Sequence, residues 1–237
     1  MIVYALDLDL DFFLSNPCEM AEIGKRPAPE EARPWSEQAF REFLEGRCGL
    51  SRKRKIPGAV FETHDGALDF WASRGEFPLR VTHVDAHSDL GIGRPGPAFV
   101  LESVVTRPAE DRVAVETYRE QKKLDEANYL LFALAFRWIA RLENVRNPAS
   151  RPDMPDFCRL AEQRDGVRRG TILLESSVGR LIPTLNRHES AVPYTVYDDW
   201  TEFRADAPYD IATLAISPRY APATADFLAE AFRDYVL

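Results

Sequence analysis

The sequence predicts an α/β fold in three layers, with a largely parallel β-sheet covered by helices on both faces. Three observations favour this fold. Short β-prone apolar segments alternate with segments of helical periodicity. Two of the β-prone segments, residues 2–8 and 78–84, run directly into acidic residues, as expected of buried strands that end at a site. The chain has 237 residues and is 45% hydrophobic, enough for one substantial core. We therefore expect residues 1–237 to form a single domain.

Two helices are predicted in the first half of the chain, after a polar, Pro-rich stretch. Ser36 can cap a helix that runs through EQAFREFL and ends near Gly46. A second helix is expected to begin just after His64, and Gly75 can end it. Its apolar stripe consists of Ala67, Leu68, Phe70 and Trp71.

The second half of the chain continues the alternation. Residues 125–143 are apolar almost all round, which predicts a long buried helix. A closing helix is predicted over residues 224–236. The interval 144–170 is the most polar and is expected to leave the core. Three further strands are predicted, at residues 171–177, 194–198 and 210–217.

Composition limits the classes of partner and compartment. The formal charge of −8 argues against a nucleic-acid partner and suits a cationic or neutral substrate. The basic run at residues 52–55 is interpreted as a solvated loop. Cys18, Cys48 and Cys158 form no CxxC pair, so we expect packing residues and neither a disulfide framework nor a thiolate zinc site. No long apolar run and no signal-peptide pattern occur, which predicts a soluble, cytoplasmic protein without a membrane partner.

The N-terminal segment DLDLDFF indicates a metal site. Strand alternation places Asp7, Asp9 and Asp11 on one side, where three carboxylates repel each other unless a positive group lies between them. Apolar residues flank the segment, which argues against a fully solvated edge strand. A metal ion is the simplest neutralising group.

A second metal-binding pattern follows the strand at 78–84. Asp85, His87 and Asp89 form an Asp-x-His-x-Asp run, whose side chains lie on one edge or converge if the chain turns. Carboxylate and imidazole ligands without cysteine suit manganese, iron or zinc. The two acidic segments together therefore predict a metal site at the carboxyl edge of the sheet.

The other histidines of the chain are interpreted differently. His64 opens a predicted helix in the THDGAL segment. We expect His83 to point away from Asp85 and to act as a core histidine or as a hydrogen-bond donor behind the ligands. His188 is predicted to lie on the surface.

These motifs together resemble a known family. HVDAHSD looks like the DAHxD metal motif of the arginase-like ureohydrolases, and DLDLDFF is similar to their DxD motif. His64 resembles the histidine that this family places at a helix start. With ETHDGALDFW and the late SPRYAP, the motifs resemble the branch that includes the peptide arginases of ribosomal-peptide biosynthesis, over about a quarter of the chain.

The resemblance implies an arginase/deacetylase-like fold and a two-manganese centre. It implies that Asp85 and one N-terminal aspartate bridge two Mn²⁺ ions about 3.5 Å apart, the separation at which a shared water is activated. The implied substrate is an arginine-containing peptide, a ribosomal precursor peptide, whose arginine side chains become ornithine with release of urea. The implied metal ligands are Asp9, Asp11, His64, Asp85, His87 and Asp89, and Asp7 can replace one of the first two.

This sequence also departs from the family pattern in two ways. The DxD strand opens the chain instead of following the DAHxD strand, so the order looks circularly permuted. Ala215 stands where arginases have a glutamate that holds the substrate. Another acid must then meet the substrate's cation, and Asn128 is a candidate to orient the substrate or to cap a helix. The candidate acids are Glu62, Glu102 and Glu175. The motifs identify no proton donor.

Two alternatives remain open at this point. An N-terminal strand ending in DxD resembles haloacid-dehalogenase-type phosphatases, and Asp-x-His occurs in metallophosphoesterases, but the downstream motifs of both are missing. A non-catalytic fold relative that binds metal or a peptide is also compatible with Ala215. Release of urea, release of phosphate, or metal binding alone separates the three.

Overall fold

A computed structural model describes residues 2–18, 24–91, 96–161 and 165–237. Its strands are β1 (Val3–Asp9), β2 (Gly58–Phe61), β3 (Leu79–Asp85), β4 (Ile139–Arg146), β5 (Cys158–Leu160), β6 (Val167–Ile172), β7 (Val192–Tyr197) and β8 (Ile211–Ala215). They form one eight-stranded sheet in the order β2-β8-β1-β3-β4-β7-β6-β5. Neighbours from β2 to β7 pair in parallel, whereas β6 is antiparallel to both β7 and β5. The sheet is therefore mixed but mostly parallel.

The α-helices are short, and all but the last lie between strands in the sequence. They are α1 (Glu37–Gly46), α2 (Gly66–Arg74), α3 (Gly96–Phe99), α4 (Val115–Glu120), α5 (Tyr129–Ala135), α6 (Ser177–Leu181) and α7 (Asp226–Phe232). A π-helical turn, Val100–Val104, continues α3, and a 3-10 turn, Leu10–Phe13, continues β1. None of the helices in the described part of the chain is both long and apolar enough to cross a lipid bilayer.

Two hydrophobic cores lie on opposite faces of the sheet. Val81 of β3 belongs to the core that contains α2, α4 and α5. Val84 of the same strand belongs to the other core, which contains α1 and α7. Because side chains alternate along a strand, both faces of the central strands are apolar and both are covered. The three-layer α/β architecture predicted from the sequence is confirmed at this level.

Both helices predicted in the first half of the chain are confirmed. The Ser36 hydroxyl accepts a hydrogen bond from the Ala39 backbone N–H at 3.2 Å, and α1 ends at Gly46. Gly75 follows α2 with φ 63°, a left-handed conformation that glycine adopts without a Cβ clash. The start of α2 places His64 two residues before its first helical residue.

The long helix predicted over residues 125–143 is wrong. The helix is only α5, and the chain then enters β4 at Ile139. Arg137 has φ 62°, a left-handed residue that ends the helix. Helical and strand residues are both buried here, and a continuous apolar run does not distinguish a buried helix from a buried strand.

Two predictions for the region after β4 also need correction. The polar interval 144–170 leaves the sheet only in part, because it contains the end of β4, all of β5 and the start of β6. The strand predicted at 171–177 ends at Ile172, and Ser177 begins α6 instead. The Ser176 hydroxyl accepts a hydrogen bond from Gly179 N–H, which favours the helix at this point.

Candidate metal centre

Six buried or partly buried side chains lie together at the carboxyl edge of the central strands. They are Asp9, Asp11, His64, Asp85, His87 and Asp89, and all six line one cavity of about 180 Å³. Five of them are nearly inaccessible to solvent, and His87 is 26% exposed. The residues predicted as ligands are therefore brought together in space.

The sheet order explains how residues distant in sequence meet. Asp9 is the last residue of β1 and Asp85 is the last residue of β3, which lies beside it. His64 arrives from the loop after β2, on the other side of β8. Because parallel strands share one carboxyl edge, all of these loops open on the same side. Asp11, in the 3-10 turn that follows β1, reaches the same cavity.

The first cluster contains one imidazole nitrogen that lies close to three carboxylate oxygens. His64 Nδ1 lies 3.1 Å from Asp9 Oδ2, 3.0 Å from Asp85 Oδ2 and 3.1 Å from Asp89 Oδ2. None of these contacts has hydrogen-bond geometry, and His64 Nδ1 has no hydrogen-bond partner among the described residues. Adjacent ligands of an octahedral ion with bonds of about 2.1 Å lie about 3 Å apart. The spacing therefore agrees with that of ligand atoms around an ion.

A second cluster lies on the other side of Asp85. His87 Nδ1 is 2.8 Å from Asp11 Oδ2 and 3.6 Å from Asp85 Oδ1. Asp11 Oδ2 is another buried atom without a hydrogen-bond partner in the described part of the chain. Asp85 thus presents Oδ2 to the first cluster and Oδ1 to the second.

These donors fit a metal ion. His64, His83, Asp85 and Asp89 offer one ligand atom each within 4.8 Å of one another, and Asp11, Asp85 and His87 do the same. Oxygen and imidazole donors without sulfur suit borderline-hard divalent ions. The buried histidine–aspartate cluster could therefore hold a metal ion.

The charges in the cavity are crowded. Burial and the neighbouring Asp85 carboxylate raise the pKa of Asp89 to about 7, and burial with Asp9 and Asp85 raises the pKa of Asp11 well above its ordinary value. Burial alone would lower the pKa of His64, but Asp7 and the other carboxylates raise it. A cation between these groups would relieve the repulsion.

The expectation that His83 points away from Asp85 is wrong. The two residues are separated by two positions in β3, and side chains two apart lie on the same side of a strand. His83 is fully buried, and its Nε2 lies 3.3 Å from Asp85 Oδ2 without a hydrogen-bond partner among the described residues. His83 therefore belongs to the first cluster.

Asp7 lies behind both histidines of the first cluster. In the sheet it pairs with His83 of β3 and Thr213 of β8, and Thr213 Oγ1 donates to Asp7 Oδ1 at 2.6 Å. Asp7 Oδ2 accepts a hydrogen bond from the Tyr129 hydroxyl and lies 3.3 Å from His64 Nε2 and 3.5 Å from His83 Nδ1. A carboxylate in this position orients an imidazole whose other nitrogen faces an ion.

The segment after β8 supplies residues that the motif analysis did not assign. The Ser217 hydroxyl donates to Asp9 Oδ2, and the Tyr220 ring lies 4.8 Å from the His87 ring. Asp89 and Ser217 both have left-handed backbones, with φ 52° and 46°. Such conformations are uncommon for residues other than glycine and concentrate at functional sites. The SPRYAP motif was the available signal for Ser217 and Tyr220.

Two further acids line the cavity and were also missed. Asp153 is held by Arg146 Nη1 at 2.7 Å and by the Ser88 backbone N–H at 2.6 Å. Glu126, in the turn before α5, is 7% exposed and receives a hydrogen bond from Arg219 Nη1 at 2.8 Å. Neither acid follows a recognisable motif in the sequence.

The four residues predicted to bind substrate do not line this cavity. Glu62 and Glu175 are exposed, and Glu175 pairs with Arg159 at 3.1 Å. Glu102 receives four hydrogen bonds from residues 176–178 at the start of α6. Asn128 uses its amide inside its own loop, where it accepts from Asp125 N–H and donates to Lys123 O.

Comparison of the chain with protein-family models, with curated proteins and with solved structures gives no match. A functional assignment must therefore be argued from the geometry of this cavity and from the motifs that form it.

Proposed function

We propose that this protein is a hydrolase that binds two divalent metal ions and converts arginine side chains of a peptide to ornithine and urea. The ions are Mn²⁺ in this proposal, and the substrate is a ribosomal precursor peptide. The resemblance of the motifs implies the fold of the arginase-like ureohydrolases, with the order of the DxD and DAHxD strands permuted along the chain.

The observation that carries the proposal is the placement of Asp85 between two ligand clusters. Its Oδ2 faces the cluster of His64 and its Oδ1 faces that of His87, at 3.0 and 3.6 Å. A carboxylate that presents one oxygen to each of two ligand sets is the arrangement expected of a bridge between two ions. The set of ligands agrees with the one implied by the motifs, with His83 in addition.

Two ions bound between these residues would supply an activated water and a positive charge that polarises the bond to be hydrolysed. The first ion would be held by His64, His83, Asp85, Asp89 and Asp9, and the second by His87, Asp85 and Asp11. Hydrolysis breaks the bond between the guanidinium carbon and the side-chain nitrogen of arginine. The oxygen of water remains in urea, and both of its protons go to the leaving nitrogen, which becomes the ammonium group of ornithine.

The protein's own hydrogen bonds fix the positions of these ligands. Asp9 Oδ1 accepts from the Asp11 backbone N–H at 2.9 Å, while its Oδ2 accepts from Ser217. Asp11 Oδ1 accepts from the Ala86 backbone N–H at 3.2 Å, which joins the loops after β1 and β3. Ligands held by packed strands and backbone donors keep their geometry as substrate enters and leaves.

The cavity suits one long side chain better than a whole ligand. Its volume of about 180 Å³ lies below the range of about 300–1,000 Å³ found for pockets that enclose a drug-sized molecule. A peptide can insert one arginine and leave its backbone at the mouth. The net charge of −8 favours the approach of cationic peptides.

The haloacid-dehalogenase-type phosphatase alternative finds no support in this cavity. No lysine is among the described residues that line the cavity. This absence disfavours the haloacid-dehalogenase-type reaction, whose downstream motifs are also missing from the sequence.

The proposal is tested by measuring urea release from protein purified from manganese-supplemented medium. We expect an internal arginine of a peptide to react at least about tenfold faster, by kcat/KM, than free L-arginine. EDTA should stop the reaction and Mn²⁺ should restore it. The same preparation is assayed with an aryl phosphate as the control for the alternative reaction.

Each outcome separates the parts of the proposal. If protein with two bound ions releases no urea from any arginine peptide, the proposed reaction is refuted. Equal or faster turnover of free arginine refutes the peptide substrate alone. Phosphate release without urea release supports the phosphatase alternative.

A further inference from the structure

Glu126 is a buried carboxylate in the cavity that neither ligand cluster uses. It lies in the turn before α5 and is 7% exposed, and its side chain lines the same cavity as Asp9 and Asp89. Its charge is close enough to that of Asp9 for the two to interact. A buried carboxylate in this position needs hydrogen-bond partners for its oxygens.

The loop that carries Glu126 is fixed at several points. Asn128 Oδ1 accepts from the Asp125 backbone N–H at 3.0 Å, and Asn128 Nδ2 donates to Lys123 O at 2.9 Å. The Gly91 backbone N–H donates to Ala127 O at 2.9 Å, which ties the loop to the segment after Asp89. The carboxylate of Glu126 is thus presented from a braced turn beside the ligands.

Arg219 engages Glu126 on one side only. Arg219 Nη1 donates to Glu126 Oε1 at 2.8 Å, and the Arg219 guanidinium lies 5.9 Å from the centre of the Tyr220 ring. A carboxylate accepts through both oxygens, with about four lone-pair positions. The other oxygen of Glu126 has no hydrogen bond to any described residue, so it remains for a donor in the cavity.

The second unassigned acid in the cavity does not have this freedom. Asp153 Oδ1 accepts from Arg146, and Asp153 Oδ2 accepts from the Ser88 backbone N–H. Both of its oxygens serve to hold the loop after β3. Glu126 is therefore the carboxylate with capacity for a substrate.

Resting on the proposed function, we propose that Glu126 binds the cationic end of the substrate side chain and that Arg219 positions the Glu126 carboxylate. Ala215 stands where arginases have a glutamate that holds the substrate. In this proposal Glu126 takes over the recognition of the substrate's positive charge. A guanidinium presents several N–H donors in one plane and matches a carboxylate.

Binding, measured apart from turnover, tests the role of Glu126. The probe is a fluorescein-labelled peptide of alanine and glycine with one central arginine, compared with the same peptide carrying citrulline, the neutral analogue of arginine. We expect the metal-loaded protein to bind the arginine peptide about 10- to 100-fold more tightly. Glu126→Gln should remove most of this difference, with unchanged metal content and melting temperature. Glu120→Gln, an exposed acid at the end of α4, is the matched control.

The outcomes distinguish this inference from the proposed function. If urea is released but Glu126→Gln keeps the preference for arginine over citrulline, the role of Glu126 is refuted and the reaction stands. If no urea is released but the preference depends on Glu126, the cation site stands and the reaction is refuted. If the protein shows no preference at all, the role of Glu126 is refuted whatever the reaction.

The positioning role of Arg219 has a separate test. Arg219→Ala should raise KM for the arginine peptide several-fold more than it lowers kcat, and Arg219→Lys should recover part of the loss because it restores a donor to Glu126 Oε1. An equal loss in Arg219→Ala and Arg219→Lys, or a loss in kcat alone, would refute the positioning role.

Discussion

Two buried clusters of charged side chains in this protein differ in how their polar atoms are satisfied. In one, Arg112 is fully buried and donates to the carbonyls of Arg107, Val105 and Ala135 and to Glu189 Oε1 at 2.6 Å. In the candidate metal centre, His64 Nδ1 faces three carboxylate oxygens without a hydrogen bond to any of them. Both clusters are removed from solvent, but only in the first do the buried polar atoms form hydrogen bonds with one another.

The difference distinguishes a structural network from a ligand site. A buried ion pair whose donors and acceptors are all matched stabilises one conformation, and removing one partner is costly. A buried set whose atoms converge at about 3 Å without bonding each other needs another group to compensate its charges. The Arg112 network should therefore serve stability, and the aspartate–histidine cavity should serve binding.

The largest effect expected on this view is that of Asp85→Ala. One residue contributes an oxygen to each cluster, so the variant should lose both ions and all detectable urea release. Metal content by elemental analysis and urea release are the two measurements. Asp156→Ala, at an exposed position outside the cavity, should keep both ions and full activity.

If Asp85→Ala kept two ions or full activity, Asp85 would not be the residue that joins the two clusters. Loss of one ion alone would remove the bridge but retain one of the clusters. A circular dichroism spectrum like that of the unmodified protein shows that the loss arises in the cavity and not from unfolding.

Much of the cavity could be predicted from the sequence because its ligands occur in local patterns. Asp9 and Asp85 end two β-prone segments, and the carboxyl ends of parallel strands share one edge. The predicted direction of His83 was wrong, because side chains two positions apart in β3 share one side of the strand. The patterns thus predicted which segments lie together at the cavity. They did not predict correctly the direction of every side chain within those segments.

The residues that sequence reasoning missed depend on tertiary contacts. Glu126 and Arg219 are separated by 93 positions and meet only after β8 and the loop before α5 are in place. The predicted helix over 125–143 failed because Arg137 turns the chain between two buried apolar segments. Neither fact is encoded in the periodicity of a short window.

The next largest effect is expected in the Arg112 network. Arg112→Ala should lower the free energy of unfolding by about 3–5 kcal/mol, because it leaves three carbonyls and part of Glu189 without a donor in the interior. Arg137→Ala is the matched control, since Arg137 pairs with the same Glu189 but is 48% exposed. That variant should cost less than about 1 kcal/mol.

Chemical denaturation of both variants measures these costs, and metal content should not change in either. Equal destabilisation by Arg112→Ala and Arg137→Ala would show that burial does not determine how much an ion pair with Glu189 contributes to the free energy of unfolding. Loss of metal in folded Arg112→Ala would mean that the two clusters are coupled, against the separation argued above.

The smallest effect concerns Glu102, a carboxylate that is satisfied by the protein and lies outside the cavity. It accepts from the hydroxyls of Ser176 and Ser177 at 2.8 and 2.6 Å and from the backbone N–H groups of Ser177 and Val178 at 3.1 and 2.9 Å. Burial alone would raise the pKa of Glu102, but these hydrogen bonds lower it from 4.5 to about 2. Glu102 should therefore serve stability, as Arg112 does.

Because the folded-state pKa of Glu102 lies below its unfolded value, its stabilising contribution is complete above pH 4.5 and is lost as the pH falls towards about 2. Glu102→Gln should cost about 1 kcal/mol of unfolding free energy near neutral pH, a modest value because the carboxylate is partly exposed. The difference from the unmodified protein should shrink steadily in urea denaturation below pH 4.5, whereas Glu110→Gln, at an exposed position, should show none. A difference that stays constant with pH would mean that the shape of the side chain, and not its charge, holds the start of α6. Loss of peptide binding in Glu102→Gln would instead return Glu102 to the substrate site predicted from the sequence.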